Sequence, residues 1–279
     1  MLESKDIAKF ITDGYLCYEG IVPKKICKKV IYEIENGYFN EYEQVGKDFY
    51  KNHWKDKAIG EVYRIKKIKS TIESLLGYNP TYDHHYIHIK EKKTKDNENL
   101  HQDGDEDKRK FQFDLLILFF PHEITRNMGG TLIIPSSHYR KVNGNSIKRY
   151  QHIIGEKQIT CKAGTIYFMH HNLWHSGRSN HSNKKRILFK LRLNPSGDQK
   201  RNWNTDQTYM DEVIKIISKD FDWHGDQKRQ EIINRVKLWR YLYDDSTSDF
   251  EKQDLWGTKL SDIIKVIYQD SVRSIDKID

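Results

Sequence analysis

Two short stretches of this chain place a histidine and an aspartate two residues apart: His101-Gln102-Asp103 and His224-Gly225-Asp226. In an extended segment, residues i and i+2 point to the same face. An imidazole and a carboxylate so placed can grip one metal ion from the same side. A third ligand from a distant strand completes a facial triad, which leaves positions open for a bidentate co-substrate and O₂. The chain has 13 histidines, so context must decide between them. No histidine follows His224 and its neighbours have helical character, so the second triplet reads as a surface or capping feature. Eight histidines follow the first triplet. Among them His175 comes after an apolar run, Ile166 to Met169, and before a polar loop, Ser176 to Lys184. His170 and His171 are its rivals, and one of them should be a wall or loop histidine satisfied by hydrogen bonds.

The elements that must position these groups differ along the chain. Ile7, Phe10 and Ile11 share the face of a first helix that Asp6 or a neighbour can cap and Gly14 ends. Tyr15 to Gly20 is a short strand-like run. Residues 23–35 form a second helix with Ile26, Val30 and Ile34 on one face. Short apolar or alternating runs then occupy 84–90, 113–120, 131–135, 164–169 and 186–193, separated by polar loops. Strands at such spacing suggest a sandwich or barrel. Beyond residue 198 the pattern is helical again, with Val213, Ile214 and Ile217 on one face and Ile232, Val236, Trp239 and Tyr243 on another. Helices before and after a β core give an α+β layout. Residues 1–197 are expected to be the core and residues 198–279 a helical extension packed on it. Residues 36–80 match no recognisable pattern.

Composition narrows the function. Aromatic residues make up 12% and charged residues 32% of the chain, a globular composition with a heavily solvated surface. No window approaches the roughly 20 apolar residues of a membrane span. The start, MLESKDIAKF, has no apolar core of a signal peptide. Cys17, Cys27 and Cys161 have neither metal-ligand nor disulfide spacing, so a cytoplasmic setting is expected. A net charge of +8 permits a nucleic-acid partner. The chain lacks the interleaved basic and aromatic residues of a nucleic-acid groove, which makes that partner unlikely.

Four segments, in order, resemble the phytanoyl-CoA dioxygenase family of Fe(II)/2-oxoglutarate-dependent oxygenases. They are Phe10-Ile11-x-x-Gly14-Tyr15-Leu16; His101-Gln102-Asp103; Gly129-Gly130-Thr131-Leu132-x-x-Pro135-x-Ser137-His138; and Ala163-Gly164 through Trp174-His175, Asn180, Ser182 and Arg186. The resemblance covers roughly residues 8–195. It implies a double-stranded β-helix, a jelly-roll core flanked by helices. It implies His101, Asp103 and His175 as ligands of Fe(II), with Arg186 on the distal carboxylate of 2-oxoglutarate. O₂ is then the second co-substrate, ascorbate is a supporting reductant, and the expected reaction is hydroxylation of an unactivated C–H bond in a small organic substrate. Asp103 disfavours the halogenating variants, which have a small residue there. His175-Ser176-Gly177 replaces the commoner His-Gly-Ser, which removes a serine contact to 2-oxoglutarate. His138 and Gly129-Gly130 read as structural, a loop anchor and a tight turn.

Arg186 begins an alternating run whose one face carries Arg186, Leu188, Lys190 and Arg192. By itself that pattern suits an edge strand with a solvated basic face. If Arg186 points inward, Lys190 and Arg192 follow it, and Lys90 can join them from the His84-Tyr86-His88-Lys90 face. Unpaired buried cations are costly, so a substrate bearing a carboxylate or phosphate is expected, unless these cations pair with acids of the protein. Two other readings remain open: an oxygenase acting on nucleic acid or protein, and a non-catalytic β-barrel binding protein.

Overall fold

Gly14 turns the first helix directly into the sheet. Helix α1 (Ser4–Asp13) buries Ile7, Ala8, Phe10 and Ile11, and the Asp6 carboxylate accepts the Glu3 N–H at 3.1 Å. Gly14 closes it in the left-handed region (φ 81°), donating to Phe10 O at 2.8 Å. A Cβ there would lie 2.6 Å from both His138 Nδ1 and Leu173, so no other residue fits.

The computed structural model describes residues 1–51, 54–104, 109, 111–140, 152–205, 210–243 and 258–273. After α1 come β1 (Tyr15–Tyr18), α2 (Lys24–Glu35), β2 (Tyr42–Asp48), α3 (Ala58–Arg64) and α4 (Lys66–Leu76). The middle supplies β3 (Thr81–Lys90), β4 (Leu115–Phe120), β5 (Thr131–Ile133), β6 (Lys157–Gln158), β7 (Thr165–His170), β8 (His175–Gly177) and β9 (Arg186–Asn194). Helices α5 (Met210–Ile217), α6 (Lys228–Tyr243) and α7 (Leu260–Arg273) follow. The architecture is α+β, with two antiparallel sheets ordered β1-β7-β4-β9-β3-β2 and β6-β5-β8.

Each face of the large sheet has its own partner. Ile117, Phe119, Phe168, Phe189 and Leu191 form one buried cluster with α1 and with Val213, Ile217, Ile232, Val236 and Trp239 of α5 and α6. The opposite face, with Leu116, Leu118, Tyr167, Met169 and Leu188, meets Ile133 of the small sheet. Strands β4 and β7 are therefore buried along their whole length, which is why they read as unbroken apolar runs.

Two expectations change. β9 is not an edge strand, as its alternating pattern by itself suited: it lies between β4 and β3, and β1 and β2 are the two edges. The unassigned stretch 36–80 supplies the edge strand β2 and two helices. Among the described residues, no helix is long and apolar enough to cross a membrane.

Candidate metal centre

His101 and His175 are direct partners in an isolated antiparallel bridge, with His101 N–H donating to His175 O and His175 N–H to His101 O, both at 3.0 Å. Residues paired across such a bridge present their side chains to the same side. The two rings accordingly lie 4.4 Å apart, centroid to centroid. Asp103 follows at the start of a turn, while Gln102 between them points away and bonds to the carbonyls of Asn172 and Arg140. His101 Nε2 is 3.5 Å and His175 Nε2 is 3.7 Å from Asp103 Oδ1. Among the described residues these three form the group whose ligand atoms all converge, within 4.8 Å of one another.

The donor set suits a first-row divalent metal. Each histidine gives its Nδ1–H to the carbonyl two residues back, His101 to Asn99 O and His175 to Leu173 O, both at 2.8 Å. That bond fixes the tautomer and leaves each Nε2 lone pair facing the centre. Ligands about 2.1 Å from an octahedral ion and at right angles lie about 3 Å apart. The two histidine–carboxylate separations, 3.5 and 3.7 Å, are somewhat wider than that, and all three donors lie within 4.8 Å of one another.

Protonation agrees. Burial pushes His175 down to about 4, so it is a neutral ligand at ordinary pH. Burial opposes the charge on Asp103, but His101, His175 and Lys190 outweigh it and hold the carboxyl well below its usual range. His101 is also burdened by burial, yet Asp103 and the Asn99 carbonyl raise it.

Arg186 forms the far wall of a cavity of about 40 Å³ that His101, His175, Thr131, Glu98 and Lys190 also line. It is 4% exposed, and its Nη1 donates to the carbonyls of Met128, Gly130 and Arg178 at 2.6, 3.1 and 2.9 Å. Those bonds fix one end of the guanidinium. Burial lowers Arg186 to about 10, against the attraction of Glu98, so it stays charged near neutrality. Gly129 and Gly130 make this cradle possible. Both have positive φ, and a Cβ would come 2.0 Å from Ser179 O or 2.3 Å from Ile159 O.

Glu98 was not foreseen. Its carboxylate accepts the Gly177 N–H at 2.8 Å, and a Cβ on Gly177 would lie 2.6 Å from it. Glu98 thus occupies the space where the family resemblance puts a serine. No signal marks it, because it sits in a polar loop with no periodicity. Asn97 and Thr94 continue the same strap along the chain after β8, accepting from Ser179 and donating to Asn180.

The remaining predicted residues fall as follows. Lys90 donates to Asp96 O at 2.7 Å. Lys190 donates to Asp103 Oδ2 at 3.0 Å. Arg192 reaches Asp103 O at 3.1 Å, Asp114 Oδ2 at 2.6 Å and Asp83 Oδ2 at 3.3 Å. Lys190 and Arg192 thus meet acids of the protein, Asp103, Asp114 and Asp83, which is the alternative to an outside anion. His170 and His171 belong to the structure: each Nδ1 accepts a backbone N–H, from Asn172 and Asp114 respectively, both at 3.1 Å. His224 is not a surface residue but buried, 3% exposed. A hollow of about 1100 Å³ opens over β6 and the turn before Gly129, and none of the three converging ligands lines it.

Comparison with known proteins places the chain in a family. The family described as phytanoyl-CoA dioxygenase matches residues 10–188. No curated protein sequence matches the chain. Among solved structures, EctD from S. alaskensis, with 2-oxoglutarate and 5-hydroxyectoine, is 17% identical at a TM-score of 0.56, over 69% of this chain and 76% of that one. The epimerase SnoN, in complex with Fe3+, alpha ketoglutarate and nogalamycin RO, is 16% identical at 0.52, over 69% and 84%. EvdMO1 is 13% identical at 0.53, over 68% of this chain but 49% of its own. At such identities the likeness is one of fold.

Proposed function

The chain belongs to the phytanoyl-CoA dioxygenase family of Fe(II)/2-oxoglutarate-dependent oxygenases, and from that premise we propose that it hydroxylates an unactivated C–H bond of a small organic substrate. The carrying observation is the bridge that brings His101, His175 and Asp103 together beside a cavity walled by Arg186. We read the two sheets, facing across one apolar layer, as a double-stranded β-helix formed within residues 1–197, with residues 198–279 as its helical extension. His101 Nε2, His175 Nε2 and Asp103 Oδ1 would hold Fe(II). Arg186, charged and anchored at Nη1, would take the distal carboxylate of 2-oxoglutarate as a planar fork. With 2-oxoglutarate and O₂, the metal supplies oxidative decarboxylation to succinate and CO₂ coupled to oxidation of the substrate.

The protein's own part is placement. Leu118 and Leu188 line the cavity with apolar surface, and the bridge and its Nδ1 bonds keep both imidazoles aimed at one point. The anionic preference first expected of the substrate is not retained, since Lys190 and Arg192 already face carboxylates.

The test is succinate release from 2-oxoglutarate under Fe(II), ascorbate and O₂ across a panel of small molecules, with product mass read in parallel. One added oxygen is expected in the product. A product of unchanged mass would point to epimerisation instead. Iron-free protein after anaerobic reconstitution, with no succinate from any substrate, would favour a non-catalytic barrel.

A further inference from the structure

We propose that Lys190 and Arg192 are positioning residues that present Asp103 to the metal through a single oxygen. The inference rests on the metal reading above and concerns how the carboxylate ligand is held.

Asp103 has four polar atoms, and three are already engaged. Its N–H donates to His171 O at 3.1 Å. Its carbonyl accepts from Arg192 Nη1 at 3.1 Å. Its Oδ2 accepts from Lys190 Nζ at 3.0 Å. The fourth, Oδ1, is the oxygen that faces both imidazoles, 3.5 Å from His101 Nε2 and 3.7 Å from His175 Nε2. A free carboxylate can chelate a metal through both oxygens and so consume a second coordination position. An ammonium on Oδ2 forbids that and leaves the position for co-substrate. Lys190 and Asp103 side chains are 15% and 10% exposed, so water competes little for either.

Arg192 is itself fixed. Its Nη2 and Nε meet Asp114 Oδ2 at 2.6 and 3.2 Å, and Asp114 is 1% exposed. The guanidinium thus ties the backbone of Asp103 to the buried start of β4. Arg186 and Lys190 stand four residues apart on one face of β9, about 13 Å along a strand. β9 is hydrogen-bonded to neighbours on both sides. One rigid strand therefore carries both the proposed co-substrate anchor and the anchor of the metal-binding carboxylate, which fixes their spacing.

The sign of the effect distinguishes this role from simple electrostatics. Removing a cation beside a divalent ion should, by Coulomb's law alone, tighten metal binding. Removing an anchor should loosen it. Co(II) is titrated anaerobically into wild type, Lys190→Met and Lys190→Gln, reading affinity and the visible d–d spectrum, with thermal melting as the check of folding. The Met variant should bind Co(II) about 10- to 100-fold more weakly, the usual range for lost outer-shell partners. Its band shape should change as Oδ2 becomes free to coordinate. The Gln variant, whose amide can still donate to Oδ2, should recover part of the affinity. Unchanged or tighter Co(II) binding with the wild-type spectrum in the Met variant overturns the proposal. If that variant does not fold, the same result in the Gln variant overturns it. Wild-type protein that takes up no Co(II) overturns the metal reading itself, a separate outcome from a metal site indifferent to Lys190.

Discussion

The triplets His101-Gln102-Asp103 and His224-Gly225-Asp226 have the same outer residues at the same spacing, and the fold treats them oppositely. The first is bridged to His175 at its histidine and turns at its aspartate, so both converge with a third donor. The second lies in a 3₁₀ turn, Asp222–Gln227, broken at Gly225 (φ 51°, ψ −135°). There His224 turns inward between Phe221 and Trp223, at ring separations of 5.3 and 4.5 Å, while Asp226 stays exposed. The charges around them differ as well. His101 sits beside a carboxylate that raises its pKa despite burial. Burial, Arg235 and Arg140 all lower that of His224, to about 4. These charges would favour a dication at the first place and oppose one at the second. Spacing alone makes a triplet, and backbone conformation and neighbouring charge make a site.

The largest contrast is in turnover. His101→Ala, Asp103→Ala and His175→Ala should each abolish metal-dependent succinate formation. His224→Ala and Asp226→Ala should keep it, and Asp226→Ala, at an exposed position, should also leave stability within about 0.5 kcal/mol. Metal content and activity of the five variants check this, and comparable losses in both groups would erase the distinction.

Next in size is the co-substrate. Arg186→Lys keeps the charge but loses the planar fork and the Nη1 bonds to three carbonyls. Affinity for 2-oxoglutarate should fall about ten- to a hundredfold, the equivalent of roughly 1.5–3 kcal/mol. The Co(II) affinity of the same variant should hardly move, because Arg186 touches none of the three ligands. Unaltered 2-oxoglutarate binding would remove Arg186 from the site.

These contrasts show what the sequence could disclose. Strands β3, β4, β5, β7 and β9 were visible because each is long or apolar enough to reveal its period, and helices α1, α2, α5 and α6 for the same reason. β2 was invisible because an edge strand with the sequence Tyr42–Asp48 is polar on both faces. β6 and β8 are too short for any period to register. At the site, motif order pointed to His101, Asp103, His175 and Arg186, and the fold brings all four to one cavity rim or beside it. Glu98 could not be found, since its role depends on a contact 79 residues away in sequence. The pairing of Lys190 with Asp103 was hidden for the same reason: periodicity shows which way a side chain points but not what it meets.

The smallest expected effect uses the rejected triplet to test the contrast in charge. Both ring nitrogens of His224 are buried with no hydrogen-bond partner among the described residues. Its folded pKa of about 4 lies below the unfolded value near 6.5. Between those values the unfolded chain binds more protons than the folded one, so stability rises with pH. The contribution of His224 is complete above about pH 6.5 and is lost as pH falls toward 4. His138, pushed down to about 3 by burial and Arg235, adds a slope of the same sign. His224→Leu removes one contributor and replaces two unsatisfied polar atoms with apolar surface. At pH 7 the variant should be as stable as wild type or about 1 kcal/mol more so. From pH 6.5 down to 4.5 its stability should fall less steeply than that of wild type, by up to about 1 kcal/mol per pH unit. Urea unfolding of both proteins, metal-free, at several pH values measures this. Parallel pH profiles would mean that His224 charges as easily in the folded protein as in the unfolded chain, and that the two arginines do not set it apart from His101.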